Sequence, residues 1–272
     1  MQLPCYCCIY FENLRKTIAK VSALCYTVLR VSEKGGGWLE NKKKYRHEFK
    51  YMLNKGWYEI LRQRVKPVMK PDSHGNNGIY RITSLYLDDV FDSAYNDKLM
   101  GLDVRKKYRI RFYSLSPEFI RLEIKEKKGE MVSKRSVKMT YDDYKSLLQG
   151  DKSFLAEERF SGTVGEELYA SDKSVRISPA AVVDYVREAY ICPAGNVRIT
   201  FDSRLKTMTG MDALNGQPNF YSVLENGEII LEVKYDSFMP SYIRNLLAGL
   251  PLNAESVSKY VLCRDFRKRL AK

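Results

Sequence analysis

Arg105, Lys107, Arg109 and Arg111 fall on every second residue of VRKKYRIRFY (104–113), with Lys106, Tyr108, Ile110 and Phe112 between them. Side chains alternate across a strand, so an extended segment here carries four cations on one face and a largely apolar face opposite. The chemistry open to such a row is anion binding. Guanidinium forks grip phosphate oxygens two at a time, and ammonium groups act as point charges.

The same parity recurs along the chain. In IRLEIKEK (120–127), Arg121, Glu123, Lys125 and Lys127 share one face, opposite Leu122 and Ile124; in VSKRSVKM (132–139), Lys134, Ser136 and Lys138 align against Val137 and Met139. Arg46, Glu48 and Lys50 share a parity in RHEFKYML, as do Tyr185 with Arg187, and Arg198 with Thr200 and Asp202; Glu232, Lys234 and Asp236 align against Leu231, Val233 and Tyr235. One such strand fits a sheet with one face in water. As a set, the charged faces are skewed to Arg and Lys with isolated Glu among them, and amphipathic helices are present to cover the apolar faces. The charged faces are then left to line an interior. Unpaired buried ions cost several kcal/mol each, so that interior must be wet or filled by anions. A triphosphate or polyphosphate fits, and the interspersed Glu residues fit a divalent metal bridging carboxylate and phosphate.

The elements that position these faces follow from spacing. RHEFKYML (46–53) alternates. NKGWYEILRQRVKPVM (54–69) has helical spacing with Asn54 as N-cap. A turn-rich loop, 71–78, leads to a strand at 79–89 and a short helix at 90–101 closed by Gly101. Strands at 104–113, 120–127 and 131–139 are joined by short turns. A helix at 140–150 has Thr140 as cap, and helix and loop fill 151–178. Strands follow at 180–190 and 196–202, then loop and short strand over 203–227, a strand at 228–236, and helices at 240–250 and 255–270. The fold class is α+β: about eight strands, mostly antiparallel, closed into a barrel to remove sheet edges, with flanking and C-terminal helices.

Composition agrees. The 272 residues carry 46 Lys and Arg against 33 Asp and Glu, a net charge of +13 that calls for a polyanionic partner. No uncharged apolar run is long enough to cross a membrane, and the first residues do not read as a secretory signal, so a cytoplasmic protein is expected. Residues 1–44 end in a Gly run and a Lys run and read as a poorly ordered extension outside the 45–272 domain. Its CYCC cluster lacks a second C-x2-C pair and a nearby histidine, which favours free thiols over zinc. His47 and His74, the two histidines, suit structural or loop roles.

RHEFKY (46–51), ITSLYLDD (82–89), KYRIRFY (107–113), LEIKEK (122–127), KRSVK (134–138), VVDYVREAY (182–190), VRITFD (197–202), LEVKYD (231–236) and SVSKY (256–260) together resemble the VTC domain, in order, over about residues 45–268. This is the catalytic domain of the eukaryotic vacuolar transporter chaperone complex and of bacterial polyphosphate polymerase domain proteins, within the triphosphate tunnel metalloenzymes. The resemblance implies an eight-stranded antiparallel tunnel that threads a phosphate chain and moves the terminal phosphoryl group of ATP onto a growing polyphosphate, with Mn2+ or Mg2+. By motif, Arg109, Arg111 and Lys125 would act on the transferring group. Lys50, Lys134, Lys138, Arg187, Arg198, Ser258 and Lys259 would bind phosphates, and Glu232, assisted by Glu123, would hold the metal. Ser256 stands where the eukaryotic polymerase carries a further Lys. Bacterial relatives are often encoded beside a small integral membrane protein, so such a partner is implied at the cytoplasmic face. The alternatives are a triphosphatase or nucleotide hydrolase on the same tunnel, and a non-catalytic polyphosphate or nucleic-acid binder. Tyr108 and Phe112 lie on the parity opposite the cations, which argues against nucleic acid.

Overall fold

Eight long strands form one antiparallel ring in the computed structural model, which describes residues 44–216, 218–224, 227–251 and 257–270. They are β1 (Arg46–Leu53), β2 (Ile79–Asp89), β3 (Val104–Tyr113), β4 (Ile120–Lys128), β5 (Met131–Met139), β6 (Ile177–Cys192), β7 (Val197–Thr207) and β8 (Ile229–Tyr235). The order β6-β2-β3-β4-β5-β1-β8-β7 returns to β6 through β6–β7 pairing. Two-residue strands at Lys70–Pro71 and Tyr221–Ser222 extend β6 and β7 pairing at the margins. The ring is not a strict barrel, because β1 meets β5 at only Arg46↔Val132 and His47↔Met131.

The apolar parity faces outward and is covered by helices, as the alternation predicts. Tyr108, Ile110, Phe112, Leu122 and Ile124 pack against Tyr144 and Leu147 of α3 (Tyr141–Leu148) and Leu168 of α4 (Val164–Val175). Leu61 and Val65 of α1 (Lys55–Val65) and Ile243 of α5 (Ser241–Leu247) cover Ile199, Phe201, Leu231 and Val233. Asn54 caps α1 by accepting the Trp57 amide at 2.9 Å. Thr140 begins α3 with a reciprocal box: its hydroxyl accepts the Asp143 amide at 3.1 Å, and the Asp143 carboxylate accepts the Thr140 amide at 2.8 Å. Thr140→Ala should therefore cost about 1 kcal/mol and lower Tm by about 2–4 °C in thermal denaturation.

The last helix, α6 (Lys259–Leu270), departs from the outer-cover pattern. Its Cys263 and Leu262 pack on Ile82, Val183, Tyr185 and Ile230, which share the inward parity with the cations, and on Leu205, which follows the backbone irregularity at Arg204. It thus fills part of the ring from within, and it braces the start of α2 (Ser93–Leu99): the Tyr260 hydroxyl donates at 2.5 Å to Asp88 of β2, which accepts the Ala94 and Tyr95 amides, and Arg264 pairs with Asp92. The helix begins at Lys259, later than the predicted 255, and 252–256 lie outside the described residues, as does the proposed 1–43 part of the extension. Cys192 and Cys263 are buried free thiols. Among the described residues no helix is long and apolar enough to cross a membrane.

Candidate active site

The ring encloses a cavity of about 430 Å³. Arg105, Lys107, Arg109 and Arg111 of β3 all face it, which answers the parity of VRKKYRIRFY directly. Lys50, Lys125, Lys134, Arg187, Arg198, Ser258, Lys259 and Glu232 line it too, so the structure brings together most of the residues expected from sequence. Lys138 does not reach it. That side chain is exposed, opposite Arg121, farther along β4 and β5. Glu123 sits in the wall itself, fully buried, behind the arginines.

Among the described residues the cavity is lined by fifteen Lys and Arg side chains and two carboxylates, Glu48 and Glu232; Glu123, Asp202, Asp72 and Asp236 also pair with lining cations, and the cations still outnumber these six counter-charges. The wall is ordered by cross-strand register. Glu48 lies opposite Lys234, and Lys50 opposite Glu232. Lys234 sits 3.1 Å from each of these carboxylates and Lys50 3.5 Å from each, so the two acids converge on the same pair of ammonium groups. Lys125 donates to Glu48 at 2.6 Å, while Lys259 donates to Glu232 at 2.9 Å and reaches Asp202 at 2.5 Å. Arg187 forks onto Asp202 at 2.6 and 2.7 Å and touches Glu232 at 3.1 Å. Arg198 is braced by the Tyr80 hydroxyl at 2.6 Å and by Asp72. Ser258 faces Lys107 at 3.4 Å, and its hydroxyl accepts the Val261 amide at 3.4 Å in the first turn of α6. Ser256 lies outside the described residues.

Glu48, Asp202, Asp72 and Tyr86 carry roles that sequence reasoning did not assign. Glu48 was visible as an inward parity partner of Lys50, but its approach to Glu232 depends on β1–β8 register. Tyr86 donates no such pattern; its hydroxyl accepts from Arg109 at 3.0 Å because β2 and β3 pair Tyr86 with Arg109.

Could these residues hold a divalent metal? Among the described residues no group of three or more His, Cys, Asp or Glu forms a cage. Mg2+ and Mn2+, however, bind through one or two carboxylates, waters and substrate phosphates, and the converging pair Glu48 and Glu232 fits that donor set. Glu123 does not fit it, because it does not line the cavity: it is fully buried in the wall, with Arg109 at 2.7 Å and Lys134 at 2.9 Å.

The electrostatics follow from crowding. Burial alone would raise the Glu232 carboxyl, but Lys234, Lys259, Lys50 and Arg187 hold it well below the usual range. Burial, with Lys50 and Lys234, pushes the Lys125 ammonium well below its usual range despite Glu48. Burial, then Lys50, Arg105 and Lys98, push Lys107 down to about 7. Above pH 7 Lys107 is therefore largely neutral in the free protein, and a bound phosphate, by relieving the repulsion, raises its proton affinity. Tripolyphosphate binding should take up protons at pH 8, and affinity should fall as pH rises above 7. Titration calorimetry in two buffers of different ionisation enthalpy reads this; equal heats would contradict it.

Comparisons with known proteins agree with the geometry. A family model described as VTC domain matches residues 45–266. No curated protein matches the sequence. A Hippeastrum adenylyl cyclase candidate, described as having a dominant triphosphatase activity, superposes with TM-score 0.51 at 13% identity, covering 82% of this chain and 96% of its own. An adenylate cyclase candidate from Bacillus halodurans gives 0.49 at 11% identity, over 79% and 95%. At such identities the likeness to the first is one of fold.

Proposed function

The chain belongs to the VTC domain family, and we propose that it is a metal-dependent polyphosphate polymerase that transfers the terminal phosphoryl group of ATP to a growing polyphosphate chain. The observation that carries this reading is the surplus of cations over carboxylates on the tunnel wall, which a highly charged, extended anion would balance.

Phosphoryl transfer asks the protein for in-line positioning and for charge neutralisation, and little covalent chemistry. A terminal oxygen of the polyphosphate chain attacks the γ-phosphorus of ATP; the bond from that phosphorus to the bridging oxygen breaks, and ADP leaves with the electron pair. Arg109 and Arg111 grip the transferring group, with Lys125 beside them. Arg187, Arg198, Lys50, Lys134, Ser258 and Lys259 hold the flanking phosphates. Glu232 with Glu48 would hold Mn2+ or Mg2+, which supplies neutralisation of phosphate oxygens when bound. The acceptor oxygen comes from the substrate, so no side-chain nucleophile is needed. The partners in this reading are ATP and polyphosphate, not nucleic acid, at a cytoplasmic site that an integral membrane protein could adjoin.

Incubation with ATP and Mn2+, with and without polyphosphate primer, should yield long-chain polyphosphate. Orthophosphate release from tripolyphosphate without elongation would favour the hydrolase on the same tunnel instead.

A further inference from the structure

Lys107 lines the cavity, yet the transfer proposed above gives it no role. Its surroundings differ from those of the other cavity lysines. Lys50, Lys125, Lys234 and Lys259 each pair with Glu48 or Glu232, and Lys134 pairs with Glu123. Among the described residues no carboxylate pairs with Lys107. Its nitrogen lies 3.4 Å from the Ser258 hydroxyl and 5.0 Å from the centre of the Tyr260 ring. The β3–β4 register sets Lys125 directly opposite it, and Arg105 and Arg109 come before and after it on the inward face of β3. Burial, with repulsion from Lys50 of β1, Arg105 and Lys98 of α2, brings Lys107 to about 7. Asp88 opposes that shift only in part, because its carboxylate already accepts the Ala94 and Tyr95 amides and the Tyr260 hydroxyl.

An amine kept neutral beside other cations is a nucleophile at a pH where an ordinary lysine is protonated. The same cations draw anions into the cavity and raise their local concentration. An acyl phosphate answers both features: its phosphate is drawn in by the cations, and its carbonyl carbon is open to an amine. We propose that Lys107 is a covalent modification site at which the protein acylates itself from small acyl phosphates. The Lys107 nitrogen attacks the carbonyl carbon. The bond from that carbon to the bridging oxygen breaks, inorganic phosphate leaves with the electron pair, and the amine proton passes to solvent. The product is an amide that takes up no proton, so the wall loses a cation. The site rests on the anion-binding reading of the cavity and adds to it a means by which acyl phosphates lower the affinity for phosphate chains.

Incubation of the full chain with acetyl phosphate at about pH 7.5, read by peptide mass spectrometry over time, tests this. Lys107 should be acetylated at least about tenfold faster than Lys145, an exposed lysine paired with Asp142 at 2.9 Å. Tripolyphosphate should slow the reaction at Lys107 and leave that at Lys145 unchanged. A folded Lys107→Arg variant should lack the rapid adduct. Acetylation of Lys107 no faster than of Lys145, a rapid adduct on a different cavity lysine, or no protection by bound tripolyphosphate would overturn the site while leaving the tunnel reading in place. A wild type that does not bind tripolyphosphate would overturn both.

Discussion

Arg111→Ala is expected to lower the rate of phosphoryl transfer about 100- to 1,000-fold, the range for removing one preorganised donor from a developing negative charge, while leaving the fold intact. Arg111 is buried in the tunnel wall, but its hold there is light: Glu123 lies 3.6 Å away and the Ser84 hydroxyl 3.5 Å. Glu123 keeps Arg109 at 2.7 Å and Lys134 at 2.9 Å when Arg111 is gone, so no buried charge is stranded. The loss should therefore appear in kcat with an unchanged Tm. A folded Arg111→Ala variant with full activity would remove the guanidinium row from the reaction.

Glu123→Gln should have the opposite profile. Glu123 is fully buried and neutralises Arg109, Lys134 and, at longer range, Arg111. Removing one partner of a buried ion cluster typically costs about 3–5 kcal/mol, which for a domain of this size is a Tm loss of roughly 6–20 °C. Tripolyphosphate should recover much of that loss, because the ligand neutralises the same cations and binds the folded state. The pH dependence has a definite sign. Burial opposes ionisation of Glu123, but Arg111, Arg109 and Lys134 outweigh it and hold the carboxyl far below its ordinary value of 4.5. The unfolded chain thus takes up the proton first. The stabilisation is present above about pH 4.5 and is lost as pH falls below it. If Glu123 instead served as a metal ligand, as the sequence resemblance suggests, Glu123→Gln would leave Tm unchanged without metal and raise the metal concentration needed for activity.

That contrast shows what the sequence could and could not carry. Parity alone placed Arg109, Arg111, Lys125, Arg187 and Glu232 on the inward faces, since period-2 alternation needs no knowledge of neighbours. It could not say which acids meet, because that depends on register: β3–β4 pairing sets Glu123 opposite Arg109, and β1–β8 pairing sets Lys50 opposite Glu232. Lys138 shares the parity of Lys134, yet four residues along β5 it has left the cavity. Strand ends were misjudged where irregularities extend the pairing. β6 begins at Ile177, before the predicted Ala180, because a register shift at Tyr86/Leu87 accommodates Pro179 opposite Leu87. β7 runs on to Thr207 past Arg204, whose φ of 53° would have argued for a turn. The inward docking of α6 was hidden for a different reason: Ile82, Val183, Tyr185 and Ile230 look like ordinary alternation faults until the helix that buries them is in place.

The most direct test of the tunnel as a polymerising site is the fate of the γ-phosphate. With ATP labelled at the γ position, Mn2+ and a polyphosphate primer, label should move into chains that lengthen with time, in amounts matching the ADP formed, and Arg111→Ala should abolish that transfer. Label recovered as orthophosphate, with no lengthening of the primer by the folded wild-type protein, would contradict the account.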